Sequence, residues 1–130
     1  MTTKNKFWIL AGVLNLTTFF LHLFGGQLDL VNPMLETSLP LEKSSQLVGA
    51  WHMVTIILLA TSYVLLSAGF GKKYATNTEM IQAIGYLNLS FCLPFIIAGF
   101  YYGLLVPQWV FFLPIGICTM LGLHKIKKNA

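Results

Sequence analysis

The sequence predicts an all-α fold, a four-helix transmembrane bundle with up-down-up-down topology and both termini in the cytoplasm. Three observations carry that expectation. Apolar residues make up 56% of the 130-residue chain, charged residues only 9%, and mean hydropathy is +0.73, whereas soluble domains carry roughly a quarter charged residues. The apolar residues gather in four stretches, about 7–25, 46–70, 80–106 and 107–124. A spanning helix needs about 20 such residues, so these stretches use up the whole chain as a single polytopic membrane domain. The third observation is the distribution of lysine, taken up below.

The first stretch follows Lys4 and Lys6 and so has the outline of a signal peptide. Its apolar core outruns the roughly 7–15 residues of such a peptide and ends in Phe24-Gly25-Gly26-Gln27 without an Ala-x-Ala site. It is therefore read as a retained helix, stopped by Gly25 and Gly26. The connection that follows, 26–45, is the longest in the chain. Asn32-Pro33 predicts a turn there, and the second helix is expected to begin near Pro40, which leaves the connection to cover the outer mouth of the bundle. Between the second and third helices lies GKKYATNTE, and Pro94 should bend the third helix. The fourth stretch is the shortest and spans by drawing on 106–108 and local thinning of the bilayer. Short connections make consecutive helices antiparallel neighbours.

Four spans put both termini on one side, together with Lys4, Lys6, Lys72, Lys73, Lys125, Lys127 and Lys128 against the single acid Glu79. The other side has Lys43 against Asp29, Glu36 and Glu42. The positive-inside rule makes the lysine-rich side cytoplasmic and fits a bacterial plasma (inner) membrane. The net charge of +4 is then a consequence of topology and not a nucleic-acid signal; the chain contains no arginine, the residue most used for base and phosphate forks. The basic C-terminus HKIKKN suits anionic head groups, and His124 is read as solvated beside it. Aromatic residues fall at two levels, Trp8 and Tyr74 inside and Trp51, Tyr101, Tyr102 and Trp109 outside, as interfacial anchors do. Cys92 and Cys118 lie in apolar spans with no C-x-x-C spacing and read as packing residues.

In lipid, polar and small residues turn to the bundle interior. Gly12, Asn15, His22 and Gly26 share one stripe of the first helix; Ser45, Gly49, His52, Thr55 and Ser62 share one of the second. Asn15 and Asn88 stand at matching depth on the first and third helices and are expected to hydrogen-bond across the interface. The two interior histidines are closer to the outer face, at about 3 and 8 Å beneath it by helical rise.

Together with Gln27, Trp51, Tyr101 and Tyr102, His22 and His52 are expected to line a pocket opening near the outer membrane face. Imidazoles on facing helices suit haem b or a transition metal, with His22 and His52 as the ligands. A small amphipathic molecule is the other ligand class such a pocket would take. The alternatives are a non-catalytic accessory or scaffold subunit of a membrane complex, and a lipid- or prenyl-modifying enzyme. The enzyme reading lacks a carboxylate inside any span to orient a histidine, and no catalytic residue is assigned. Apart from the pocket's ligand, the partners implied are the bilayer and either further copies of the chain or a larger membrane complex. The plainest reading of the cluster is hydrogen bonding that ties the outer helix ends together.

Overall fold

The computed structural model describes residues 4–129, with side chains to residue 126. Regular structure among the described residues is entirely helical. Four helices, α1 (Lys6–Leu35), α2 (Leu41–Gly69), α3 (Thr78–Tyr102) and α4 (Trp109–Asn129), are long and apolar enough to cross a membrane.

Helix α1 starts at Asn5, whose side chain accepts from the backbone N–H groups of Phe7 and Trp8 at 3.2 and 3.4 Å, as an N-cap should. Its far end corrects the sequence expectation. Gly25 and Gly26 do not stop it: Gly26 has φ −67° and ψ −28°, ordinary helical values and not the left-handed conformation in which glycine commonly ends a helix. The chain continues through two π-helical turns, Leu21–Gly25 and Gln27–Val31, and a last α-turn, Asn32–Leu35. Val31, only 2% exposed, gives this extension an apolar anchor. Asn32-Pro33 therefore opens a helical turn, where proline's missing N–H is tolerated.

The expected lid over 26–45 is accordingly not formed. Only 36–40 lie outside the helices, closed by the Thr37 hydroxyl donating to the Met34 carbonyl at 2.7 Å. Helix α2 starts directly after Pro40, as expected. With 30 and 29 residues, α1 and α2 are each roughly 45 Å long at 1.5 Å per residue, well beyond the roughly 30 Å of hydrocarbon.

Helix α3 ends at Tyr102, short of the expected 106. Gly103 takes the left-handed conformation, φ 64° and ψ 29°, and Leu104 N–H returns to the Gly99 carbonyl at 3.1 Å. Helix α3 runs on through Pro94, and α4 continues past 124 to Asn129.

Helix α1 packs along α2, α3 along α4, and α1 against α4, while α2 and α3 scarcely touch. The start of α1 meets the ends of both α2 and α4. Asn5 N–H donates to the Gly69 carbonyl at 2.9 Å, Asn5 Nδ2 to the Gly122 carbonyl at 2.9 Å, and Trp8 Nε1 to the Thr119 carbonyl at 3.2 Å. Trp8 is thus 1% exposed, a core residue and not the interfacial anchor its position suggested. Its indole N–H finds a carbonyl inside, which removes the reason for the ring to seek water. Two apolar clusters fill the interior. One is built on Trp8, Leu65, Ile81, Ile84 and Ile115, the other on Phe19, Leu58, Cys92 and Phe112.

Candidate functional site

His22 lies in the first π-helical turn and Gln27 opens the second. Single π-turns inside α-helices occur frequently at functional sites, where the wider turn re-aims side chains. Here two follow one another, with N–H to carbonyl bonds spanning five residues from Gly26 to Leu21 and from Asn32 to Gln27.

The residue that meets His22 is Trp51. The imidazole lies on the indole with ring centroids 3.8 Å apart and planes 13° from parallel, and His22 Nε2–H donates to the Trp51 carbonyl at 3.1 Å. Because a carbonyl only accepts, this bond places the proton of a neutral ring on Nε2 and leaves Nδ1 as an acceptor. The same carbonyl receives the Thr55 hydroxyl at 3.3 Å. The register is set by Gly26, where a Cβ would fall on the six-membered ring of Trp51.

Two polar atoms here are buried without a protein partner, the indole donor Trp51 Nε1 and the amide acceptor Gln27 Oε1. Gln27 is held by its own Nε2, which donates to Asn32 Oδ1 at 2.9 Å. A buried donor or acceptor left unpaired costs about 1–3 kcal/mol, so each is a place where a ligand group gains more than it would in water.

His52, the next residue after Trp51, is half-buried. It makes no hydrogen bond among the described residues. Trp51, Thr55 and Ser62 point inward on α2, but Ser45 and Gly49 of the expected stripe are exposed, and Ser44 is the buried serine of that turn. Tyr101 and Tyr102, on α3, are 80% and 69% exposed. Their rings pack edge-to-face on each other at 4.9 Å, and among the described residues neither makes a hydrogen bond or ring contact with the histidine–tryptophan pair.

Among the described residues no three His, Cys, Asp or Glu side chains gather where they could hold a metal ion. For haem, axial ligation through His22 Nε2 would require it to leave the Trp51 carbonyl and the ring to leave the indole. The donor set present suits hydrogen bonding better than coordination. An apolar cleft of about 470 Å³ lies between α3 and α4, lined by Cys92, Phe95, Gly99, Trp109 and Leu113 among others and by none of His22, Gln27, Trp51 or His52.

Sequence reasoning did not find the roles of Asn32 or of the indole N–H. No composition signal announces a π-turn, although a glycine one turn beyond His22 and a tryptophan beside His52 were visible. Comparison with family models, with curated proteins and with solved structures finds no match to this chain.

Proposed function

We propose that this chain is an up-down-up-down integral membrane protein with cytoplasmic termini that binds the head of a small amphipathic molecule at His22, Trp51, Gln27 and His52. The observation that carries the reading is the pair of buried, unpartnered atoms, Trp51 Nε1 and Gln27 Oε1, beside a stacked imidazole. One is a donor and the other an acceptor, and His22 Nδ1 adds a second acceptor. A neutral head bearing both a donor and an acceptor, such as a hydroxyl or a protonated carboxyl, satisfies them together. A charged head finds no counter-charge in the described cluster, which favours a neutral one.

The charge distribution supports the orientation. Lys4, Lys6, Lys72, Lys73 and Lys125 share one end, while Asp29, Glu36 and Glu42 belong to the opposite end of the α1–α2 hairpin. A bacterial plasma (inner) membrane is the setting this favours. The cluster then lies close to the outer edge of the hydrocarbon, the level at which an amphipathic molecule keeps its head.

Native mass spectrometry of protein extracted in mild detergent tests the reading. The wild type should retain one stoichiometric amphipathic compound, and Gln27→Ala and His22→Ala should release it while melting as cooperatively as the wild type. Retention unchanged in both variants would refute the site. A Soret band after dithionite, lost in His22→Ala, would replace this ligand with haem.

A further inference from the structure

The interior carries a second set of unpartnered polar atoms, far from His22 along the helices. Asn15 was expected to bond Asn88 across the interface, and it does not. Asn15 Nδ2 donates to Thr61 Oγ1 at 2.7 Å and to the Leu58 carbonyl at 3.4 Å, both on α2. Asn88 Nδ2 donates within its own helix, to the Ile84 carbonyl at 3.0 Å. Both amide oxygens, Asn15 Oδ1 and Asn88 Oδ1, are buried without a partner, on residues 0% and 2% exposed.

Their positions along the helices put them at one level, between the two apolar clusters. On α1, Asn15 lies between Ala11 of one apolar cluster and Phe19 of the other; on α3, Asn88 lies between Ile84 and Cys92 of the same two clusters. Ser62 holds the corresponding place on α2, between Leu58 and Leu65. The layer has more acceptors than donors. The Ser62 and Thr61 hydroxyl protons are committed to the Leu58 and Ile57 carbonyls at 2.6 and 2.7 Å and Thr61 Oγ1 already accepts from Asn15, which leaves the Ser62 oxygen and the two amide oxygens as acceptors.

We propose that an internal water molecule occupies this layer and donates one proton to Asn15 Oδ1 and the other to Asn88 Oδ1. Buried waters bind where about three otherwise unsatisfied polar groups converge, and two acceptors call for a two-proton donor. A cation would also satisfy acceptors, but the layer has no carboxylate, and an uncompensated charge at mid-membrane depth is costly. The water gives the two helical hairpins a polar tie that their direct bonds lack. Among the described residues the side-chain hydrogen bonds between hairpins, Asn5 to Gly122 and Trp8 to Thr119, both sit at the end carrying Trp8.

The test combines proton NMR of the wild type in deuterated detergent with a double-mutant cycle. Water should show cross-relaxation to the side-chain amide protons of both Asn15 and Asn88, and the Tm should be the same in sodium and in choline chloride. In the cycle, Asn15→Leu and Asn88→Leu should each lower the Tm, and the double variant should lose less than the sum, because removing both acceptors leaves no orphan. Absent cross-peaks, or strictly additive losses, would overturn the proposal; so would a Tm that rises specifically with sodium, which would assign the layer to a cation. Should a single variant fail to fold, the cross-relaxation and salt measurements on the wild type decide alone.

Discussion

Trp51 of α2 rests its six-membered ring on the backbone of α1 at Gly26, so closely that a Cβ there would stand 2.7 Å from Trp51 Cη2. Real Cβ contacts do not come that near, so alanine at 26 must push the indole away and break its stack on His22. At Gly25, one residue earlier, a Cβ would meet nothing within 4 Å. Gly26→Ala should therefore destabilise the protein by about 1–3 kcal/mol, the usual range for overpacking. Gly25→Ala should be neutral or stabilise by up to about 1 kcal/mol through helix propensity. Thermal unfolding of the two variants in one detergent compares them directly, and equal effects would remove Gly26 from the argument.

The opposite end of the hairpin depends on Asn5 and Trp8. Asn5 caps α1 and also donates to Gly122, so Asn5→Ala should cost about 2 kcal/mol, one part for the cap and one for the bond. Trp8→Phe removes only the bond to the Thr119 carbonyl while keeping a buried ring, and about 1 kcal/mol of loss is expected beyond repacking. Hydrogen exchange along α4 should accelerate around 119–122 in both. Acceleration confined to α1 would show that the two hairpins are not joined there.

Gly103 ends α3 in the left-handed region, where a Cβ costs roughly 1–2 kcal/mol. Gly103→Ala should lower stability by about that amount, and Gly103→Asn by less, since asparagine tolerates the conformation. Open space around the position excludes a steric explanation.

Orientation is open to labelling. Thr37 lies in the α1–α2 connection and Thr76 in the α2–α3 connection, both exposed. In intact bacterial cells a membrane-impermeant maleimide should label Thr37→Cys, and it should reach Thr76→Cys only after lysis. The reverse pattern would invert the topology.

Composition made the four helices legible, because uninterrupted apolar runs of about 20 residues match a spanning helix and far exceed a spanning strand. Helix ends were less legible. Two glycines at 25 and 26 looked like a stop, yet glycine is only permissive, and Leu28, Leu30 and Val31 beyond them carry the helix on. At Gly103 the same residue type does end a helix, because there it turns left-handed, and it does so although Leu104, Leu105 and Val106 would continue the apolar run. His22, Trp51 and His52 were expected in one cluster, and the contact the structure shows is the His22 ring on the Trp51 indole. Which residue of the Trp51-His52 pair meets His22 depends on one residue of helix rotation, about 100°, and sequence spacing does not resolve that. The asparagine pair shows a similar limit: matching depth was readable, whereas the direction of each amide depends on local hydroxyls and carbonyls.

In the proposed function the Trp51 indole N–H donates to the head of a bound amphipathic molecule. It is tested most directly by ¹⁵N-indole NMR, with the Trp51 resonance assigned by its disappearance in Trp51→Phe. In protein stripped by exhaustive detergent exchange and then reloaded with lipid extract, that resonance should move downfield on reloading, while those of Trp8 and Trp109 stay in place. An indole signal for Trp51 that is identical in stripped and reloaded protein would show that no bound head accepts from it.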